Sequence, residues 1–397
     1  MLPWPPQGRT LSEVISGRDN NFDLVRLIAA LLVMVGHSYG MQNPTGNIDY
    51  IRYILGTDYP GSLAVYIFFT ISGMLIYQSF ERAKNPINFM AFRVARLWPG
   101  LALNTLVIVF IIGPFFSTAA TLGEYFSANE FSPLHYLAIN VFHIGEARLN
   151  IENMFMHAGG NKTAVNYPLW SLTVEAQCYC VVMVLGVMGL LSRKKLMPAL
   201  MAALTALYLL GTYVNFEYPY SIFLYTFNRF KEDYSFYPVP FFFLGMVFYA
   251  LKDKITLNWW LASALVVIAA MLHHTVLAVP TFVIALAYLT LTVGASRKLR
   301  FLRPKYDYSY GLYIYGFVCQ QMVLDLYPSL SSYKALAVAV LMALAFSAIS
   351  WHLVEGPCLR LCKRWASGTR QPASATVTGL DATPGNAVIA QPVLQAK

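Results

Sequence analysis

Charge is what this chain is short of. Asp, Glu, Lys and Arg make up 12% of its 397 residues, against roughly a quarter in ordinary soluble domains, while 57% are hydrophobic. Such a surface excludes water as the solvent for most of the molecule. Cysteine is also scarce: Cys178, Cys180 and Cys319 fall in apolar stretches, and Cys358 and Cys362 in a basic one. Neither the odd count of 5 nor the spacing points to a disulfide framework or a zinc site, so no metal is expected. The opening MLPWPPQGRTLSEVISGRDNN lacks a positive segment followed at once by an apolar core. No cleaved signal is therefore expected, and the first apolar span serves as the insertion signal. There is no internal repeat.

What is abundant is apolar runs. A span needs about 20 largely apolar residues, and windows at 23–41, 62–80, 99–118, 168–191, 196–214, 236–251, 258–275, 276–294, 308–327 and 333–355 qualify. The fold class is an all-α polytopic integral membrane protein with about ten transmembrane helices. The window at 236–251 is short, and one kinked segment around His273 and His274 would mimic two. Lys and Arg accumulate in cytoplasmic loops, and 21 of the 28 lie on one side of this arrangement, together with both termini. The other side holds Arg52, Arg148, Lys162, Arg229, Lys231 and Lys334, leaving Arg26 inside the first span. Both termini are thus expected in the cytoplasm of a multi-pass protein of the inner (plasma) membrane. The net charge of +9 follows from this sidedness and needs no nucleic acid. The chain divides into a cytoplasmic segment at 1–21, a transmembrane domain at 22–362 and a disordered tail at 363–397, rich in Ser, Thr, Ala and Pro. The outer loop at about 119–167 is long enough for a lid or binding surface, with a re-entrant or interfacial piece near FSPLHYLAINVFHIG.

Several groups sit where hydrocarbon makes them costly. Arg26 and His37 lie in FDLVRLIAALLVMVGHSYG; eleven helical steps place them within about 20° on one face and roughly 16 Å apart in depth. Ionisable groups at membrane depth mark functional paths, although an arginine one turn inside also snorkels to the interface. Neutral imidazole takes a proton near physiological pH, which makes His37 a candidate base. In FFTISGMLI, Ser72 and Gly73 permit close helix approach and shape a site more than they react. In FRVARLWP, Arg93 and Arg96 would share a face of a short helix entering the membrane at Pro99. They suit either a lipid anchor or a fork for phosphates of a cytosolic nucleotide-like donor. In PLWSLTVEAQCY, Trp170 suits the interface, while Glu175 lies one to two turns into the span and calls for a partner such as His37 or Arg26. In DYSYGLYIYGFVCQQ, Tyr310, Tyr313 and Gln320 or Gln321 suit an acceptor by hydrogen bonding; aromatic packing and helix–helix bonds are equal readings. In HLVEGP, Glu355 ends the last span near the inner arginines.

Taken in this order, the segments resemble the membrane acyltransferase family called acyltransferase-3, whose members O-acylate sugars of cell envelopes. The resemblance covers about residues 22 to 362. It rests on the spaced pair Arg26 and His37, Phe-Phe-x-x-Ser-Gly from Phe68, Arg-x-x-Arg at Arg93 and Arg96, and Trp-Ser-Leu-x-x-Glu from Trp170 to Glu175. It implies a ten-helix core, acyl-CoA (commonly acetyl-CoA) as co-substrate with no permanently bound cofactor, and an acceptor hydroxyl presented from the opposite face. It also carries the family's essential residues onto Arg26, His37, Arg93 and Arg96. Where many members have a His and a Pro after Ser-Tyr-x-x-Tyr, this chain has Gly316 and Val318, which leaves acceptor choice open. The expected partners are the lipid bilayer, acyl-CoA and a carbohydrate or lipid-linked saccharide, with a homo-oligomer left open. The expected site has His37 as base, Glu175 orienting it and Arg26 stabilising charge. Arg93 and Arg96 would hold the donor, and Ser72, Trp170, Ser171, Tyr310, Tyr313 and Gln320 would hold substrate. The alternative is a proton-coupled transporter or flippase of an envelope precursor, with His37, Glu175 and Arg26 as its relay.

Overall fold

A computed structural model describes residues 8–17, 19–42, 60–83, 85–127, 129–143, 145–158, 164–213, 238–273, 275 and 277–368. Among them, a strand β1 (Arg9–Thr10) precedes α1 (Leu11–Ser16) and α2 (Phe22–Gln42). There follow α3 (Pro60–Ala83), α4 (Pro86–Phe116), and α5 (Leu122–Tyr125) and α6 (Pro133–Phe142) of the long loop. Next come α7 (Leu169–Val187), α8 (Met197–Tyr213), α9 (Pro238–Ala250), β2 (Thr256–Leu257), α10 (Trp259–Met271) and α11 (Ala278–Gly294). The chain ends in α12 (Ser309–Leu326), α13 (Ser332–Ser350) and, after a π-turn at Trp351–Glu355, α14 (Gly356–Gly368). Against this helical background, β1 and β2 form a small antiparallel ladder, Arg9 opposite Leu257 and Thr10 opposite Thr256, and isolated bridges join Ser117 to Met154 and Asn150 to Ala164.

Each apolar window coincides with a helix. Four of these, Pro60–Ala83, Pro86–Phe116, Leu169–Val187 and the continuous Ser332–Ala366, are long and apolar enough to cross a bilayer. Around His273 the chain makes two helices, α10 and α11, packed on each other. Arg93 and Arg96 stand not on a short helix ending at Pro99, as expected, but on the long α4, which runs from the Asn85 cap with Pro99 inside it. Nearby, the Tyr310 hydroxyl donates to Leu97 O, 2.7 Å away. The final helix reaches Gly368, past residue 363 where the tail was expected to begin; residues 369–397 lie outside the described residues.

Small residues set the helix crossings, as close packing in lipid requires. A Cβ on Gly73 of α3 would lie 1.9 Å from the Phe242 carbonyl oxygen of α9, and one on Gly245 would lie 2.2 Å from Thr70 O. The molecule thereby acquires two apolar cores. One joins α3, α7, α9 and α11 through Phe69, Met74, Phe242, Met246 and Leu291. The other joins α2, α12, α13 and the long loop through Met34, Ile314, Phe317, Ala339 and Phe155. The loop is packed down: Ser132 caps α6, the backbone N–H groups of His157 and Ala158 donate to Asp325, and Trp98 donates to Val141 O. α6 is thereby bonded to the middle of α4.

Candidate active site

Between the two cores lies a chamber. Its polar lining comes from Arg26 of α2, Ser72 of α3, Arg93 and Arg96 of α4, Ser171, Glu175 and Tyr179 of α7, and Tyr310 and Tyr313 of α12. Five helices separated by nearly 300 positions thus converge on one polar space, with Phe68, Phe69 and Leu172 as apolar walls.

At the basic end of the bundle an alternating ladder of charge closes the chamber. Arg303 donates to Asp23 (3.3 Å), Asp23 accepts from Arg26 (2.8 Å), and Arg26 also bonds Asp307 (2.7 Å), which accepts in turn from Arg96. The other Asp307 oxygen accepts from the Ser309 hydroxyl. Burial would push the Asp307 carboxyl up, but the Arg26 and Arg96 guanidiniums overcome it and hold the group well below the usual carboxylate range. Asp307 went unremarked as a sequence feature, although it opens the motif that contains Tyr310 and Tyr313; its signal was a lone carboxylate at the depth of two arginines. Arg96 also lies 6.0 Å from the Tyr310 ring centre and 5.9 Å from that of Trp351.

Arg93 and Arg96 do not form a common fork. Arg96 is committed to Asp307, whereas Arg93 turns to Ser79 (3.3 Å) and packs 5.9 Å from the Tyr179 ring centre. The Nε–H groups of Arg26 and Arg93 are buried with no hydrogen-bond partner among the described residues. Both arginines line the chamber.

Glu175 does not meet His37 or Arg26, the partners expected for it. Its Oε1 accepts from Ser72 Oγ at 2.7 Å and Tyr179 OH at 2.5 Å. The correction is one of register: α7 sets Glu175 opposite α3, while Arg26 turns toward α4 and α12. The Ser171 and Tyr313 hydroxyls bond each other, and Tyr313 also donates to Pro168 O. Trp170, placed at the lipid interface by composition, is 6% exposed and belongs to the first core. Gln320 donates to Met34 O at 2.7 Å, a helix–helix bond. Glu355 is buried and bonded to Ser350, and it forms no ion pair among the described residues.

His37 stands outside the chamber lining, toward the far end of α2. Its ring packs edge-on against Phe317 (5.0 Å) and Tyr167 (5.9 Å). Phe317 lies one turn beyond Tyr313, whose ring meets Phe68 at 5.5 Å. Phe68, Tyr313 and Ser171 line the chamber, and Phe317, one turn beyond Tyr313, meets the imidazole.

The chamber is a polar space enclosed by apolar helices, its charge supplied by three arginines and one glutamate. The chain belongs to the family defined by the acyltransferase domain, whose model matches residues 19–355, and it is an acyltransferase of the membrane-protein kind. It is 28% identical over 347 residues to an "O-acetyl transferase" of Shigella phage Sf6, covering 85% of this chain and 95% of the relative. It is 27% identical over 371 residues to "Nodulation protein 10" of Rhizobium leguminosarum bv. viciae, covering 88% and 96%. No solved structure matches it.

Proposed function

We propose that the protein is an O-acyltransferase of the inner membrane that moves an acyl group, commonly acetyl, from cytoplasmic acyl-CoA to a hydroxyl of a cell-surface or exported carbohydrate. The observation that carries this reading is the chamber at the basic end, whose lining gathers the guanidinium groups of Arg26, Arg93 and Arg96. Guanidinium groups suit the phosphate and carbonyl oxygens of an anionic thioester donor. The basic end faces the cytoplasm under the positive-inside rule, so the donor enters there. The Sf6 relative's name supports acetyl transfer to oxygen.

In this reading the acceptor hydroxyl comes from the far side to His37. His37 takes its proton as the oxygen attacks the thioester carbonyl carbon; the C–S bond then breaks, and the leaving thiolate receives that proton. Arg26 holds the donor at the basic end of its path, and Glu175 holds Ser72 and Tyr179 in place further along it. The test uses purified protein in liposomes with labelled acetyl-CoA and candidate saccharides. An acyltransferase consumes the thioester with the right acceptor, and His37→Ala slows it by about a hundredfold or more at unchanged protein abundance. A flippase would leave the thioester whole with every acceptor, and an intact rate in the His37 variant would remove that residue from the mechanism.

A further inference from the structure

A second cavity adjoins the chamber and shares Leu75 and Arg93 with it. Its charged lining is Arg82, Arg93 and Lys363, three cations with no carboxylate. Ser79 and Asn88 add hydrogen-bonding groups. The two cavities are strung along one face of α3. Ser72 and Leu75 line the chamber, and Leu75, Ser79 and Arg82 line the vestibule. Steps of three, four and three residues keep these four side chains on a single helical stripe. Ser72 and Arg82 are separated along it by about 15 Å, comparable to an extended pantetheine arm.

Resting on the acyl-CoA reading above, we propose that the vestibule is the phosphate site of the donor, and that Arg82 of α3 and Lys363 of the terminal helix α14 are its outer binding residues. Arg96 cannot serve in this way while Asp307 holds it. Arg93 stands at the junction of the two cavities, where the arm passes from one to the other. A CoA molecule laid along the stripe puts its phosphates among three cations and its sulfur near Ser72 and Glu175. Guanidinium and ammonium groups at this spacing suit several phosphates of one molecule. The same chemistry would attract an anionic lipid headgroup, and the experiment separates the two sources. The consequence for the fold is that α14, outside the family match at 19–355, becomes part of the substrate site.

The experiment measures binding of CoA and of 3′-dephospho-CoA to the full chain in nanodiscs of phosphatidylcholine, with and without added phosphatidylglycerol, by calorimetry. Variants are R82Q, K363Q and their combination, the conservative R82K/K363R, and R364Q as a neighbour that lines neither cavity. The expected result is that the double Gln variant binds CoA at least tenfold more weakly, since one charge-assisted contact is worth about that factor. Removal of the 3′-phosphate should cost the wild type more than it costs the double variant. Binding in R82K/K363R and R364Q should stay within about twofold of wild type. In turnover, the Gln substitutions should raise KM for acetyl-CoA far more than they lower kcat. Equal CoA affinity in the double variant and wild type would overturn the vestibule while leaving the acyl-CoA reading intact. A difference present only with phosphatidylglycerol would assign the cations to lipid instead. Failure of the wild type itself to bind CoA would overturn both readings.

Discussion

The two ends of α2 solve the problem of polar groups in hydrocarbon in opposite ways. At the basic end, Arg26 is fixed by Asp23 and Asp307 in a ladder that runs on to Arg96 and Arg303. At the far end, the His37 ring packs edge-on against Phe317 and Tyr167, and the neighbouring Gln320 bonds a backbone carbonyl. The first environment is a network of fixed charges, and the second presents aromatic ring edges. One helix carries both because eleven residues return it to the same face. The contrast teaches that one helix can hold a polar group by ion pairs at one end and by ring packing at the other.

The substitution Asp307→Asn would break this contrast most severely. It leaves the buried guanidinium groups of Arg26 and Arg96 without a shared counter-charge, which typically costs about 3–5 kcal/mol. Thermal unfolding in detergent should show a large drop, and adding Arg96→Met should restore part of it. A variant as stable as the wild type would mean that the ladder is not under load.

Acidification should erode the same end by a smaller amount. The folded-state carboxyl of Asp307 lies below its unfolded value of about 4, so its stabilisation is complete at neutral pH and is lost as pH falls through the acid range. Melting temperature followed from pH 7 to pH 3 should fall more steeply for the wild type than for Asp307→Asn. Parallel curves would remove Asp307 from the acid response.

The far end should respond least. Gln320→Leu removes the bond to Met34 O from an otherwise apolar contact and should cost about 1 kcal/mol, with little dependence on salt. A loss as large as that of Asp307→Asn would abolish the distinction between the two ends.

How far the residues alone lead can be judged on particular pairs. The depth of Arg26, His37 and Glu175 follows from counting within apolar windows, because helical rise is fixed. Their partners do not follow. The ion pair between Arg96 and Asp307 joins positions 211 apart, and the Ser72 bond to Glu175 joins positions 103 apart. Rotation of one helix about its axis relative to another is set by side-chain packing at the crossing, here by Gly73 and Gly245 between α3 and α9. The same limit explains Trp170, where aromatic character at a span boundary indicates an interface until a neighbouring helix covers it.

By itself the sequence determined the solvent of this protein, the positions of its helices and the family pattern, since hydropathy, periodicity and motif spacing are local properties of the chain. Tertiary structure alone decided that Arg93 and Arg96 part company, that Asp307 joins two arginines, and that the C-terminal helix borders the vestibule. The physical reason is that these choices depend on which faces of rigid helices meet, and that is fixed by packing across the bundle.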